Sequence, residues 1–183
     1  MRFFEKFVAP LANMALLYAA LSAPAHAEQC LAHAPARCAD IEQFLRFGGG
    51  KELRHFLGNA PGVTDRNSAA DDLMRVLDGP PQSRLDLPSG RYLFSACQAH
   101  NCEDKGALIL TGTGEIAAAA ILHYPNYPTP VLTVFVREGG ERAEIEGPIR
   151  NWAQTQLDDF HKLTGDPRVL IADVRFMAVG GPR

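Results

Sequence analysis

The chain has 183 residues, 46 % of them apolar and 21 % charged, with a formal net charge of −3. Those values suit one folded domain with a sizeable core and exclude a disordered tract. The balance of charge leaves no basic footprint for nucleic acid.

The first 27 residues stand apart. Arg2 and Lys6 make a basic start, an apolar run follows from Met14 to Leu21, and Ala25-His26-Ala27 supplies a small-x-small site. That order predicts a cleaved secretory signal. The apolar run is too short to span a bilayer, and Pro10 and Pro24 bracket it. Cys30 follows Ala27-Glu28-Gln29, which lacks the small residues of a lipoprotein site. The expected organisation is therefore a signal over 1–27 and a single exported domain over 28–183, with no membrane insertion after cleavage.

All four cysteines (Cys30, Cys38, Cys97 and Cys102) lie beyond the cut. In an oxidising compartment an even count favours disulfides. Three pairings are open, and local spacing favours Cys30–Cys38 with Cys97–Cys102. Residues 28–38 then form a surface arm pinned by the first pair.

Residues 40–47 and 53–57 place Ile41, Phe44, Leu45 and Leu53, Phe56, Leu57 at helical spacing, separated by Gly48-Gly49-Gly50. The next helix has Ser68 as N-cap, Asp71 three residues on, and a stripe of Leu73, Met74, Val76 and Leu77. Asp78-Gly79-Pro80-Pro81 stops it. From Arg91 the pattern becomes that of strands: 92–96, 107–111, 115–123, 131–137 and 142–146. Gly112-Thr113-Gly114 and the 138–141 segment suit hairpin turns. The prolines of 124–130 argue against a central strand there. Pro148 fits the first turn of a helix over 148–163. Its Ile149, Trp152, Ala153, Gln156, Leu157, Phe160 and Leu163 trace one face, apolar except for Gln156. A last strand follows over 169–179. The expected fold is α+β: an antiparallel sheet of about five to six strands with helices packed on one face.

The stretch that carries chemistry is Cys97-Gln98-Ala99-His100-Asn101-Cys102, between the runs Tyr92-Leu93-Phe94 and Ala107-Leu108-Ile109-Leu110. A tight turn across four residues brings the two α-carbons within the roughly 7 Å that a disulfide needs. The result is a stiff projecting loop that presents an imidazole, and a stiff loop loses little entropy on binding. Two enzymic alternatives use the same residues. Cys97 or Cys102 with His100 would make a nucleophile and base. Reduced, the three would be zinc ligands with His123 as a fourth. A paired cysteine offers no thiolate, so an oxidising compartment disfavours both, and the expectation is a protein without catalytic residues, metal or cofactor.

The run Tyr92-Leu93-Phe94-Ser95-Ala96-Cys97-Gln98-Ala99-His100-Asn101-Cys102, with the strand after it, resembles the inhibitor of vertebrate lysozyme family (Ivy). That family carries a Cys-x-x-His-x-Cys loop after a strand ending in Ser-Ala, and the resemblance covers about residues 90–123. It implies a periplasmic location, a central antiparallel sheet and often a homodimer. It also implies that His100 enters the active-site cleft of a lysozyme, with Gln98, Ala99 and Asn101 as the occluding rim. A retaining glycosidase holds two carboxyl groups roughly 5 Å apart. Imidazole has a nitrogen on each side of its ring, so in its charged form it donates to both. The family loop has lysine, proline and aspartate where Gln98, Ala99 and Asn101 stand here. That difference keeps a second target open: a binding or immunity module that controls a bacterial lytic transglycosylase or another cell-wall hydrolase.

Overall fold

A computed structural model describes residues 30–180 apart from Asp65, Glu141 and Asp166. The expected signal segment over 1–27 lies outside the described residues. Six strands form a sheet in the order of the chain: β1 (Leu85–Leu87), β2 (Arg91–Gln98), β3 (Asn101–Leu110), β4 (Ile116–Asn126), β5 (Thr129–Arg137) and β6 (Asp173–Val179). The helices are α1 (Ile41–Phe44), α2 (Gly50–Leu57), α3 (Ala69–Val76) and α4 (Arg142–Thr164). The α+β class and the strand number are as expected.

Three details of the expected arrangement change. Neighbouring strands from β1 to β5 are antiparallel, but β6 runs parallel to β5. The long α4 carries the chain back to the end of the sheet at which β5 began, and a crossover of that kind makes the next strand parallel. The helices also cover both faces rather than one. α1 to α3 pack with Phe94, Leu108, Ile121 and Phe135. α4 places Ile145, Ile149, Trp152, Ala153 and Leu157 against Leu93, Ile109, Leu122 and Val134 on the other face. Strands buried on both sides are continuously apolar rather than alternating, which is how Ala107–Leu110 and Ala118–Leu122 are composed. The small side chains of Ala118, Ala119 and Ala120, all fully buried in the central strand β4, let both layers come close.

The third change is the expected strand over 142–146, which is the start of α4. Arg142–Glu146 (3.4 Å) and Glu146–Arg150 (2.9 Å) pair one turn apart, and Ile145 continues the apolar face of Ile149 and Trp152. Pro148 thus lies inside the helix, in its second turn, where its missing N–H costs only the bond to the nearby carbonyl of Glu144. Gln156, the polar interruption of the α4 face, accepts from Gln82, whose own Oε1 accepts from Ser95 Oγ at 2.6 Å. Pro125 lies within β4 and is tolerated because the ladder shifts register between His123 and Asn126.

The three glycines after α1 divide the work. Gly48 has φ 107°, which breaks the helix. At Gly49 a Cβ would lie 2.7 Å from Phe44 Cζ, so only hydrogen fits beside that ring, and Gly50 begins α2. Ser68 caps α3 as expected, its Oγ accepting from Asp71 N at 3.2 Å.

Candidate functional site

The stretch 97–102 is the tip of the β2–β3 hairpin. Gln98 pairs with Asn101, so Ala99 and His100 are the two turn residues. His100 takes a positive φ of 62° and is exposed, as are Asn101 and Cys102, while Cys97 is buried. The left-handed region is uncommon outside glycine, although histidine enters it more readily than most residues, and the surroundings help to hold it there.

Several groups do so. The structure pairs Cys97 with Cys102 (Cα–Cα 4.8 Å) and Cys30 with Cys38 (4.6 Å). Below the disulfide the ladder resumes only at Cys97 opposite Lys105, so Cys102, Glu103 and Asp104 form a bulge. Lys105 is almost wholly buried and donates to the carbonyl of Cys102. Burial pulls its ammonium below the usual lysine range, against the opposing pull of Asp104 and Glu103. Behind the turn runs Gly79. A Cβ there would lie 2.6 Å from Ala99 N and closer still to the Cys97 carbonyl, so only glycine allows this approach of two backbones. Pro81 bridges Ala96, and Gln82 N donates to Ser95 O at 2.9 Å, which seats the segment along β2.

The third support is electrostatic. Arg75 on α3 donates to Gln98 Oε1 and lies 3.8 Å from Asp104 and 3.6 Å from Asp72. Gln98 therefore turns its amide back toward the helix, and the outward rim consists of Ala99, His100 and Asn101. Burial raises the Asp104 carboxyl above the ordinary aspartate range, and Arg75 works against that rise. Asp72 has no exposed surface. It accepts from Val63 N (2.9 Å), Thr64 N (3.1 Å) and Asn67 Nδ2 (2.9 Å), so one carboxylate organises the 62–67 loop and anchors the arginine behind the hairpin. Nothing in the sequence reading singled out Arg75, Lys105, Asp72 or Gly79. Gly79 stood inside a segment taken only as a helix stop.

His123, the possible fourth zinc ligand, faces α3 from β4 and bonds Thr133 Oγ1 at 3.2 Å. Burial lowers its basicity, and the cationic Arg175 and Arg75 add to that effect while Asp72 opposes it. Tyr124 next to it is pushed up to about 12, by burial first and then by Glu103. Among the described residues there is no free cysteine, and no three His, Cys, Asp or Glu side chains gather as a metal-ligating group. The antiparallel order puts the β4–β5 turn at Tyr127-Pro128 at the same end of the sheet as His100. No described helix is long and apolar enough to cross a membrane. Compared with known proteins, the chain matches no family model, no curated protein and no solved structure.

Proposed function

We propose that this protein is a periplasmic inhibitor of a peptidoglycan-cleaving muramidase, a c-type lysozyme or a related enzyme, and that the β2–β3 hairpin is its working element. The observation that supports the reading is the presentation of His100. It sits at the exposed corner of a two-residue turn, closed by Cys97–Cys102 and backed by Gly79 and Arg75. Such a tip is convex and narrow, which suits insertion into a cleft. Its conformation is set before contact, so little ordering entropy is lost on binding.

Inside a retaining glycosidase the ring would lie between two carboxyl groups about 5 Å apart. An imidazolium donates one charge-assisted hydrogen bond to each, and such bonds contribute roughly 1.5–3 kcal/mol apiece. The turn occupies the space of the sugar ring, so inhibition needs no chemistry by the inhibitor. Two disulfides and the absence of a membrane-crossing helix among the described residues are compatible with an exported protein.

The position of Gln98 favours a second target within the same reading. Its amide is neutral and bound to Arg75, so the rim carries no charge from that position. A bacterial lytic transglycosylase or another cell-wall hydrolase is then the alternative partner. Lysis of a peptidoglycan suspension by a panel of these enzymes, with and without the protein, tests both. Inhibition of one class assigns the target, and full lysis by every enzyme in the panel rejects the reading.

A further inference from the structure

At the end of the sheet opposite His100 lies an open cleft of about 240 Å³, formed by the 30–38 arm, α2, the β3–β4 turn and the end of β5. Its charged and polar side chains are mixed in sign: Arg137, His33, His55, Glu52 and Glu115 line it beside the apolar Ala32, Ile116 and the ring of Phe56. Most of the other described arginines are matched. Arg54, Arg84, Arg91, Arg168 and Arg175 each hold an aspartate or glutamate. Arg137 holds none among the described residues. Its guanidinium lies 5.5 Å over the centre of Phe56, which leaves the edges of its fork for a ligand.

The walls are preformed. Cys30–Cys38 closes the arm that supplies His33. Gly114 presses on that arm so tightly that a Cβ would lie 2.8 Å from His33 Cα. A small ligand entering the cleft orders little protein.

We propose that this cleft binds a small zwitterion, a free amino acid or short peptide, with its carboxylate on Arg137 and its ammonium on Glu52 and Glu115. The charges select that class. A simple anion would meet two carboxylates, and a simple cation would meet the guanidinium. A molecule carrying both charges satisfies both, and a planar carboxylate fits the guanidinium fork. His33 and His55 add ring nitrogens that can bond either group. The volume is below the range of roughly 300–1,000 Å³ typical of drug-sized ligands, which sets the size. The cleft is far from the hairpin tip, so its occupancy stands or falls apart from muramidase binding.

The test is calorimetric titration of the whole protein with glycylglycine, beside acetate, ethylammonium and inorganic phosphate. Saturable 1:1 binding of the dipeptide with Kd below about 1 mM is expected, with the three single-charge probes weaker by tenfold or more. Arg137→Gln and Glu115→Gln should each weaken the dipeptide about tenfold, Arg137→Lys less, and His100→Asn not at all. Glu115 lies in an exposed turn, so that variant keeps the test sound if Arg137→Gln fails to fold. Absence of saturable heat with glycylglycine, unchanged affinity in Glu115→Gln and Arg137→Lys, or phosphate binding as tightly as the dipeptide would each overturn the assignment.

Discussion

Replacement of Asp72 tests how the helix layer supports the hairpin. The side chain is fully buried and accepts from two backbone N–H groups, those of Val63 and Thr64, and from Asn67 Nδ2. Asp72→Ala leaves these donors without an acceptor and removes a partner of Arg75. Each buried unsatisfied donor costs about 1–3 kcal/mol, and the 62–67 loop can relax and admit water. The net loss should then be about 3–4 kcal/mol, near the lower end of what breaking a buried ion pair costs. Asp72→Asn behaves differently. Its one oxygen can take both backbone donors, and the amide of Asn67 can turn to accept from its NH₂. It exchanges charge-assisted bonds for neutral ones, a loss of about 1–1.5 kcal/mol. Urea unfolding followed by far-ultraviolet circular dichroism reads both variants, with an unchanged slope expected because the surface exposed on unfolding is the same. A domain of this size loses about 2–4 °C in Tm per kcal/mol, so Asp72→Ala should melt roughly 6–16 °C lower. A loss below about 1 kcal/mol in Asp72→Ala would refute the view that this carboxylate organises the loop.

Other expectations follow from single contacts. Gly79→Ala places a methyl 2.6 Å from Ala99 N. It should destabilise the protein by about 1–3 kcal/mol and shift the amide resonances of Ala99 and His100, and unchanged spectra would remove Gly79 as a support. Replacing both Cys97 and Cys102 by alanine opens a six-residue ring and should cost about 2 kcal/mol, read by the same urea titration; no measurable change would contradict it. Stability should fall on acidification below about pH 6.5, because His123 is held neutral in the fold while the unfolded chain binds the proton. One such group contributes at most about 1.4 kcal/mol per pH unit, and His123→Gln should flatten that part of the curve. Asp104 acts in the opposite direction at lower pH, because its raised carboxyl favours the protonated folded state. A slope identical in His123→Gln would assign the acid sensitivity elsewhere.

Local signals in the sequence were legible where a few neighbouring residues decide the outcome. Ser68 and Asp71 mark the start of α3, and the Cys97–Cys102 spacing marks a closed turn at His100. The double coverage of the sheet was also written in the chain, in the unbroken apolar runs 107–110 and 118–122, but helices on one face were expected instead. α4 was misplaced at its start because 142–146 alternates polar and apolar residues over a short span. Only the ion pairs to Glu146 and the packing of Ile145 distinguish helix from strand there. The supports of the hairpin could not be read in advance. Arg75 meets Gln98 across 23 residues of chain, and Gly79 meets Ala99 by backbone contact that no side-chain pattern encodes.

The most direct measurement is the inhibition constant of the protein and of His100→Asn against the muramidase that it blocks most strongly in the lysis panel. Asparagine tolerates the left-handed turn, so the hairpin keeps its shape while the imidazole is lost. A rise of more than tenfold, over about 1.4 kcal/mol, is the result expected if His100 bridges the catalytic carboxyl groups. Equal inhibition by the two proteins would contradict that role and leave the hairpin as a wedge without a histidine mechanism.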